Sequence, residues 1–563
     1  MGVQEPLALL REQPAGADPV GLTLVERRKV AFSGRRGGEG PLTLGQAGTL
    51  GWITDQGLYT RMLDWPLELP AGATLDDITA ALRVLVARHE SLRTTYPAGR
   101  DPVQRVARTG ELAIDVYSID AKPADVSLLG AELVRHLRST EFDRGADLPL
   151  RAAVAVHQGV PVATVTVCDH MAVDFGSMAV IGRQFTQLAG EPARRDIGPP
   201  GHQPLDQAAA ERSPRGRRRA EAALRSWEKH LRRMPQCMYP VPRQSGPGGG
   251  AASGWLWSPA AALALPHIAA RTRASRPVAV LAALSAVISW RAGHDRCVLP
   301  VSASNRYERT LREYVGTLAQ DSIMSIEVRA QGFDELVRRT AAAMLKSGRN
   351  GLVSRDEIIR IGREVEDDRG ITYTRDCTYN DLTAYLAEPA AATAPGDPAA
   401  GQPAAAGDPA AARRALRHSR FSCLTSAPVQ EVLLFILQQI DAEMILGALT
   451  TDASRVPGGE IESLLRGVEL LLVEAASGDV DLGRLGEITG VRPLPRGPGW
   501  LRVDSSWVEF SEVQRLLDDA LPGVAAKLFD LAKNLVELER VLAQNAAFKK
   551  QSVSRAGAVA HFS

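Results

Sequence analysis

Aromatic side chains are scarce in this sequence. Phe, Trp and Tyr make up 5% of its 563 residues, too few to suggest the stacking platforms that hold single-stranded nucleic acid. An excess of one charge sign is also missing: 66 lysines and arginines face 65 aspartates and glutamates, for a net charge of +1. That balance gives no general attraction to nucleic acid or anionic lipid. Cysteine is sparse. Cys168, Cys237, Cys297, Cys377 and Cys423 lie far apart and form no CxxC pair, which argues against a disulfide framework and a zinc site and fits a reducing cytosol. Long apolar runs are absent too. The longest, Val278 to Trp290, is too short to span a bilayer, and MGVQEPLALLREQPAG lacks the basic-then-apolar order of a signal peptide. No Walker loop or GxGxxG follows a strand-like run, so no nucleotide site is signalled. The expectation is a cytoplasmic protein with no metal, no nucleic-acid partner and no membrane partner.

What is present is patterning for an α/β protein in two halves. Residues 1–40 end in GRRGGEG and read as a weakly structured extension. Leu75 to His89 predicts a helix: Leu75, Ile78, Leu82, Leu85 and Val86 recur at helical spacing, with Thr74 as N-cap and Asp76 and Asp77 in the first turn. Leu150–Val156 and Pro161–Cys168 read as paired strands, the second (with VATVTV) buried on both faces. Ala179–Leu188 reads as a helix, and Glu211–Arg233 as a charged helix broken near Pro214. The loop SGPGGG closes the first half, residues 41–250. The second half, 251–488, offers a buried helix at Ala279–Arg291, strands at Cys297–Ser302 and Ile323–Val328, and a helix at Phe333–Leu345. Within it, residues 388–416 are rich in Ala, Pro and Gly and read as a disordered insert. A Pro/Gly stretch then opens an extension over 489–563 that reads as helical.

The chemistry centres on Cys168-Asp169-His170-Met171-Ala172-Val173-Asp174-Phe175-Gly176. A histidine between a buried strand and a helix is held firmly yet can face a cleft. Taken alone, a histidine followed four residues later by an aspartate also describes an ordinary loop histidine beside a helix cap. The surrounding segments add to it. The loop resembles the HHxxxDG motif of condensation domains of nonribosomal peptide synthesis and related CoA-dependent acyltransferases. Pro41-Leu42-Thr43-Leu44-Gly45-Gln46 resembles that family's PLSxxQ element, and Arg88 to Tyr96 resembles RHExLRTxF. Phe142-Asp143 through Pro149-Leu150-Arg151 is similar to FDLxxGPLLR, and Trp227 to Leu231 to YWxxxL. Ser304-Asn305-Arg306 and Val315-Gly316-Thr317 fall where the family has its NR and VGxFVNT elements. The matches run in the family's order over about residues 41–488.

The resemblance implies two chloramphenicol-acetyltransferase-like lobes in a V, with a tunnel between them. It implies an acyltransferase that joins a carrier-bound acyl or aminoacyl thioester to an amine or hydroxyl acceptor, which can be a small molecule. The chain would bind no cofactor of its own; phosphopantetheine would arrive on partner carrier proteins. His170 matches the motif's second histidine and would accept the acceptor's proton or hold it in place, roles suited to an imidazole. Asp174 matches the motif's structural aspartate, with Arg93 as its expected partner. Phe175, Asn305, Arg306, Gly316 and Gln320 would face the tunnel.

The sequence also departs from the family's pattern. Asp169 replaces the first histidine and, ionised, can only accept hydrogen bonds. Close to His170 it would raise that residue's pKa. Phe175 stands where glycine is usual, and Gly176 comes one position late; the ring would narrow the tunnel or turn into the core. Gln320 replaces an asparagine. These departures keep a rival open: a catalytically silent module that recruits a carrier or another enzyme. Transfer from free acyl-CoA and epimerisation are further alternatives. The basic run Arg212–Arg219 reads as a solvated surface or a dock for an acidic carrier.

Overall fold

β-branched and small residues suit a pleated, buried surface, and the run at Val160–Asp169 is a strand whose residues are all buried from Ala163 onward. The computed structural model describes residues 21–56, 61–120, 126–191, 197–240, 249–373, 376–386, 408–426, 429, 431–503, 505–520 and 522, and the backbones of 526–530 and 558–562. Val160–Asp169 pairs with Leu150–His157 across a two-residue turn, Gln158–Gly159, in which both residues have positive φ. The sheet holds five strands in the order Leu22–Ser33, Thr109–Ile119, Leu150–His157, Val160–Asp169, Met62–Pro66. Alternate side chains go to opposite faces. Ala152, Val154 and Cys168 pack with helices Leu75–Arg88 and Phe175–Gly190. Ala153, Ala155, Val165 and Val167 pack with helix Val126–Leu137.

A second sheet holds seven strands in the order Gln320–Glu327, Arg296–Ala303, Cys377–Asp381, Leu433–Ile440, Met444–Thr450, Ala252–Ser258, Arg420–Thr425. Helices Pro259–Thr272, Arg276–Ala292, Phe333–Gly348 and Gly458–Ala475 bury one face in the largest core cluster. Trp255, Trp257, Ile436, Ile445 and Leu449 form another apolar cluster on this sheet, and Phe175 of the first lobe packs against it. Two sheets, each with its own core, make a mixed α/β protein of two lobes. Helix Pro214–Leu231 crosses over: Ala223, Trp227 and Leu231 pack with Val298 and Ile323 of the second sheet. The loop near residue 250 is therefore not a packing boundary.

Three expectations are corrected. Residues 1–40 are not all weakly structured, because Leu22–Ser33 is a strand paired along its length with Thr109–Ile119; residues 1–20 lie outside the described residues. The insert 388–416 does not end in disorder. Its first part, 388–407, lies outside the described residues, but Pro409–Ala415 is a helix capped by the Asp408 carboxylate, with Ala412 fully buried in the second core. The extension 489–563 does not pass from its Pro/Gly stretch straight into helix. Trp500–Val503 and Ser506–Glu509 form a hairpin before helix Phe510–Ala520; its Trp and Val residues favour strand. Among the described residues, no helix is long and apolar enough to cross a membrane, and no cluster of His, Cys, Asp or Glu could hold a metal ion.

Candidate active site at the seam between the lobes

Strand Val160–Asp169 ends at one side of the site and helix Phe175–Gly190 begins at the other, with His170 to Asp174 between them. His170 is half-buried, and its Nδ1 lies 2.8 Å from the Val173 carbonyl oxygen. A carbonyl only accepts, so the neutral ring carries its proton on Nδ1 and keeps the lone pair on Nε2. The backbone around the ring is fixed from several sides. The His170 amide donates to the Arg61 carbonyl at 2.9 Å. Thr317, from the second lobe, donates its hydroxyl to the His170 carbonyl at 2.6 Å. Tyr96 donates to the Met171 carbonyl at 3.2 Å, and Gln46 reaches Tyr96 at 3.4 Å. The PLTLGQ and RHESLRTTY segments thus meet under the histidine loop.

Asp174 caps helix Phe175–Gly190, its Oδ1 accepting the Ser177 amide at 2.8 Å and the Ser177 hydroxyl at 2.9 Å. Its charge partner is Arg306, not Arg93. Nη2 of Arg306 lies 2.6 Å from Oδ1 and Nη1 lies 2.9 Å from Oδ2, and the Leu318 and Ala319 amides both donate to Oδ2 at 2.9 Å. Burial alone would push this carboxyl up, but the Arg306 charge and these hydrogen bonds hold it down at about 2. Arg93 instead turns into the first lobe, where its Nη1 donates to the Arg36 carbonyl at 2.8 Å and to that of Ala107. Its position on the short turn Glu90–Arg93 faces those carbonyls and leaves Asp174 to the other lobe.

Arg306 therefore does not line an open passage; its side chain is buried in the pair. Gly176 is explained by it. A Cβ there would sit 2.6 Å from Arg306 Nη1, so glycine lets the guanidinium lie against the helix start. Asn305 is buried and donates to the Leu318 carbonyl at 2.8 Å. The Gly316 amide donates to the Ser177 hydroxyl at 3.0 Å. Gln320 donates to the Leu44 carbonyl at 3.0 Å and so joins the lobes. These three residues, expected to face substrate, hold backbone in place. Phe175 is half-buried and packs on both the first core and the Trp255–Trp257 cluster.

Asp169 is buried, with its carboxylate 2.8 Å from Arg144 Nε and accepting the Met171 amide at 2.8 Å. Burial pushes its pKa up, and the Arg144 charge opposes that. The carboxylate is thus engaged with Arg144 rather than left as a free charge beside His170. Arg144, Tyr96, Ser177 and Thr317 were given no site role from sequence. A signal existed for Arg144: an acid at the buried end of a strand needs a cation. In the basic run, Arg219 lies 2.7 Å and Arg215 3.7 Å from Glu308 of the second lobe, so part of it is engaged within the chain.

A family profile described as Condensation domain matches residues 63–371, more than half of the chain. No curated protein sequence matches it. Solved structures similar in fold include the SgcC5 protein from Streptomyces globisporus, with 18% identity and a TM-score of 0.57, covering 78% of this chain and 99% of that one. A condensation domain for chain release from the enacyloxin polyketide synthase is 19% identical, with a TM-score of 0.55 and 87% of each chain covered. The X-domain from teicoplanin biosynthesis, solved in complex with OxyB, is 19% identical, with a TM-score of 0.54 over 83% of this chain and 98% of that one. At these identities the likeness shows the fold.

Proposed function

We propose a working acyltransferase, on a plain premise: this chain belongs to the condensation-domain family. Its reaction would form an amide or ester between an acyl or aminoacyl thioester on a carrier protein and an amine or hydroxyl acceptor. The observation that carries this reading is the orientation of His170, whose Nδ1 is tied to the Val173 carbonyl so that Nε2 is left as the base. His170 Nε2 takes the acceptor's proton as the acceptor's lone pair attacks the thioester carbonyl. The C–S bond breaks, and His170 returns the proton to the departing thiolate. Aminolysis of a thioester is already downhill, so holding acceptor and thioester together supplies much of the rate. The phosphopantetheine arm belongs to the carrier and enters as part of the substrate.

One observation favours a second reading. Phe175 bridges apolar clusters of both lobes, which suits a closed, recruiting module. Metabolite profiling of the producing strain separates the two readings, with gene deletion compared with His170→Ala at matched protein level. If both strains lose the same product and accumulate the same uncoupled precursor, His170 works as the base. If deletion removes a product that His170→Ala still makes at the normal rate, the enzyme reading fails and the recruiting one stands.

A further inference from the structure

Away from the seam, residues 491–503 and 505–509 are strapped onto the second lobe. The Leu494 amide donates to the Arg291 carbonyl at 2.8 Å, Trp507 Nε1 to the Gly293 carbonyl at 3.0 Å, and the Gln236 amide to the Ser506 hydroxyl at 2.9 Å. Between strap and lobe lies a cavity of about 280 Å³, with Trp500, Trp507, Arg496, His294 and Cys237 among its lining residues. At ~30 Å³ per water it has room for roughly nine waters, or one substituted ring. Trp500 and Trp507 both contribute to its wall, and aromatic side chains beside a cavity suit a flat ligand.

One charged group in that wall lacks a counter-ion among the described residues. Arg496 stacks 4.5 Å from the Trp507 ring and 5.9 Å from that of Trp500, and donates Nη2 to the Ala292 carbonyl at 2.6 Å. Among the described residues no carboxylate pairs with it, whereas Arg291 is paired with Glu460 and Arg502 with Asp295. An unpaired planar guanidinium on aromatic walls fits a carboxylate. His294 is 8% exposed; its Nε2 lies 3.1 Å from the Cys237 carbonyl, and its buried Nδ1 has no hydrogen-bond partner. Since the carbonyl takes the Nε2 proton, Nδ1 presents a lone pair. Burial, with Arg502 and Arg496 nearby, pushes this imidazole down to about 4 and keeps it neutral. Nδ1 is closed off from the cavity, so His294 contributes a neutral part of its wall.

We propose that this cavity binds a small aromatic carboxylate, its carboxylate on Arg496 and its ring beside Trp500 and Trp507. The site is independent of the seam chemistry and of whether the chain is an acyltransferase. Calorimetric titration of the full chain with 4-hydroxybenzoate and with 2-aminobenzoate tests it, with 4-hydroxybenzyl alcohol as the uncharged comparison. At least one acid should bind saturably and at least about tenfold more tightly than the alcohol, and Arg496→Met, checked for cooperative melting, should lose about tenfold. A measurement on the unaltered chain locates the site. Saturating acid should slow alkylation of Cys237, which lines the cavity, and leave that of the exposed Cys423 unchanged. Failure of both acids to bind up to about 10 mM, equal binding of acid and alcohol, or unaltered Cys237 alkylation at saturation would each overturn the proposal.

Discussion

At Asp174 a buried carboxylate meets donors from both lobes, and removing it strands the Arg306 guanidinium. Breaking a buried pair from one side costs about 3–5 kcal/mol, so Asp174→Ala should lose that much in urea denaturation. A loss under about 1 kcal/mol would show that the pair does not hold the seam. The contribution also has a pH sign. The carboxyl sits at about 2 against an ordinary 3.8, so its stabilisation is present above 3.8 and lost as pH falls through 2. Glu211 carries the opposite sign. Burial pushes it up from 4.5 to about 7, against its hydrogen bonds with Gln207 and the Leu44 amide. Its contribution is fully present below pH 4.5 and lost as pH rises through 7. Melting temperatures of the unaltered chain and of Glu211→Gln, followed from pH 4 to 8, should therefore differ in slope across 4.5–7; parallel curves would remove Glu211 from the account. Comparing the pair cancels His89, which burial holds at about 4 and which acts the other way below its ordinary 6.5.

Among the elements, helix Pro409–Ala415 shows how composition misleads. Its Ala-rich stretch offers no large apolar stripe, yet alanine is the best helix former, and Asp408 followed by Pro409 is a cap and first-turn pair visible in the sequence. Ala412 is fully buried among the residues of the second core, with helix Pro259–Thr272 alongside, whereas Ala410 is exposed. Ala412→Leu should overpack this contact and lose about 1–3 kcal/mol, while Ala410→Leu should stay within about 0.5 kcal/mol. Equal effects in chemical denaturation would mean that the helix does not dock. The strand Leu22–Ser33 was hidden for a different reason. It lies at the sheet edge and buries only Val30 and Phe32, so its charged residues mask the alternation. Helix Leu75–Arg88 was legible because its cap, first-turn acids and stripe agree, and the capping box at Thr74 and Asp77 is present.

For the whole molecule, motif order gave the family and the histidine loop, but not who pairs with whom. Asp174 had two arginines to choose from, and 132 residues separate it from the one it holds. Burial of both arginines and the facing of the lobes are settled only in three dimensions. The same holds for Thr317, whose hydroxyl crosses the seam to the His170 and Met171 carbonyls. Thr317→Val should lose about 1 kcal/mol and lower product formation, and Thr317→Ser should restore both. Restored stability without restored product would show that the hydroxyl serves folding and not the placement of the base.

The crowding of donors on one carboxylate has a mechanical meaning. Asp174 receives amides of Leu318 and Ala319 and the fork of Arg306 from one lobe, while its own helix belongs to the other. Rotation of the lobes that keeps those bonds must turn about Asp174 as a fulcrum. Displacement in such a rotation would grow with distance from the pin, so His170, four residues away, would move least and the outer rims of both lobes most.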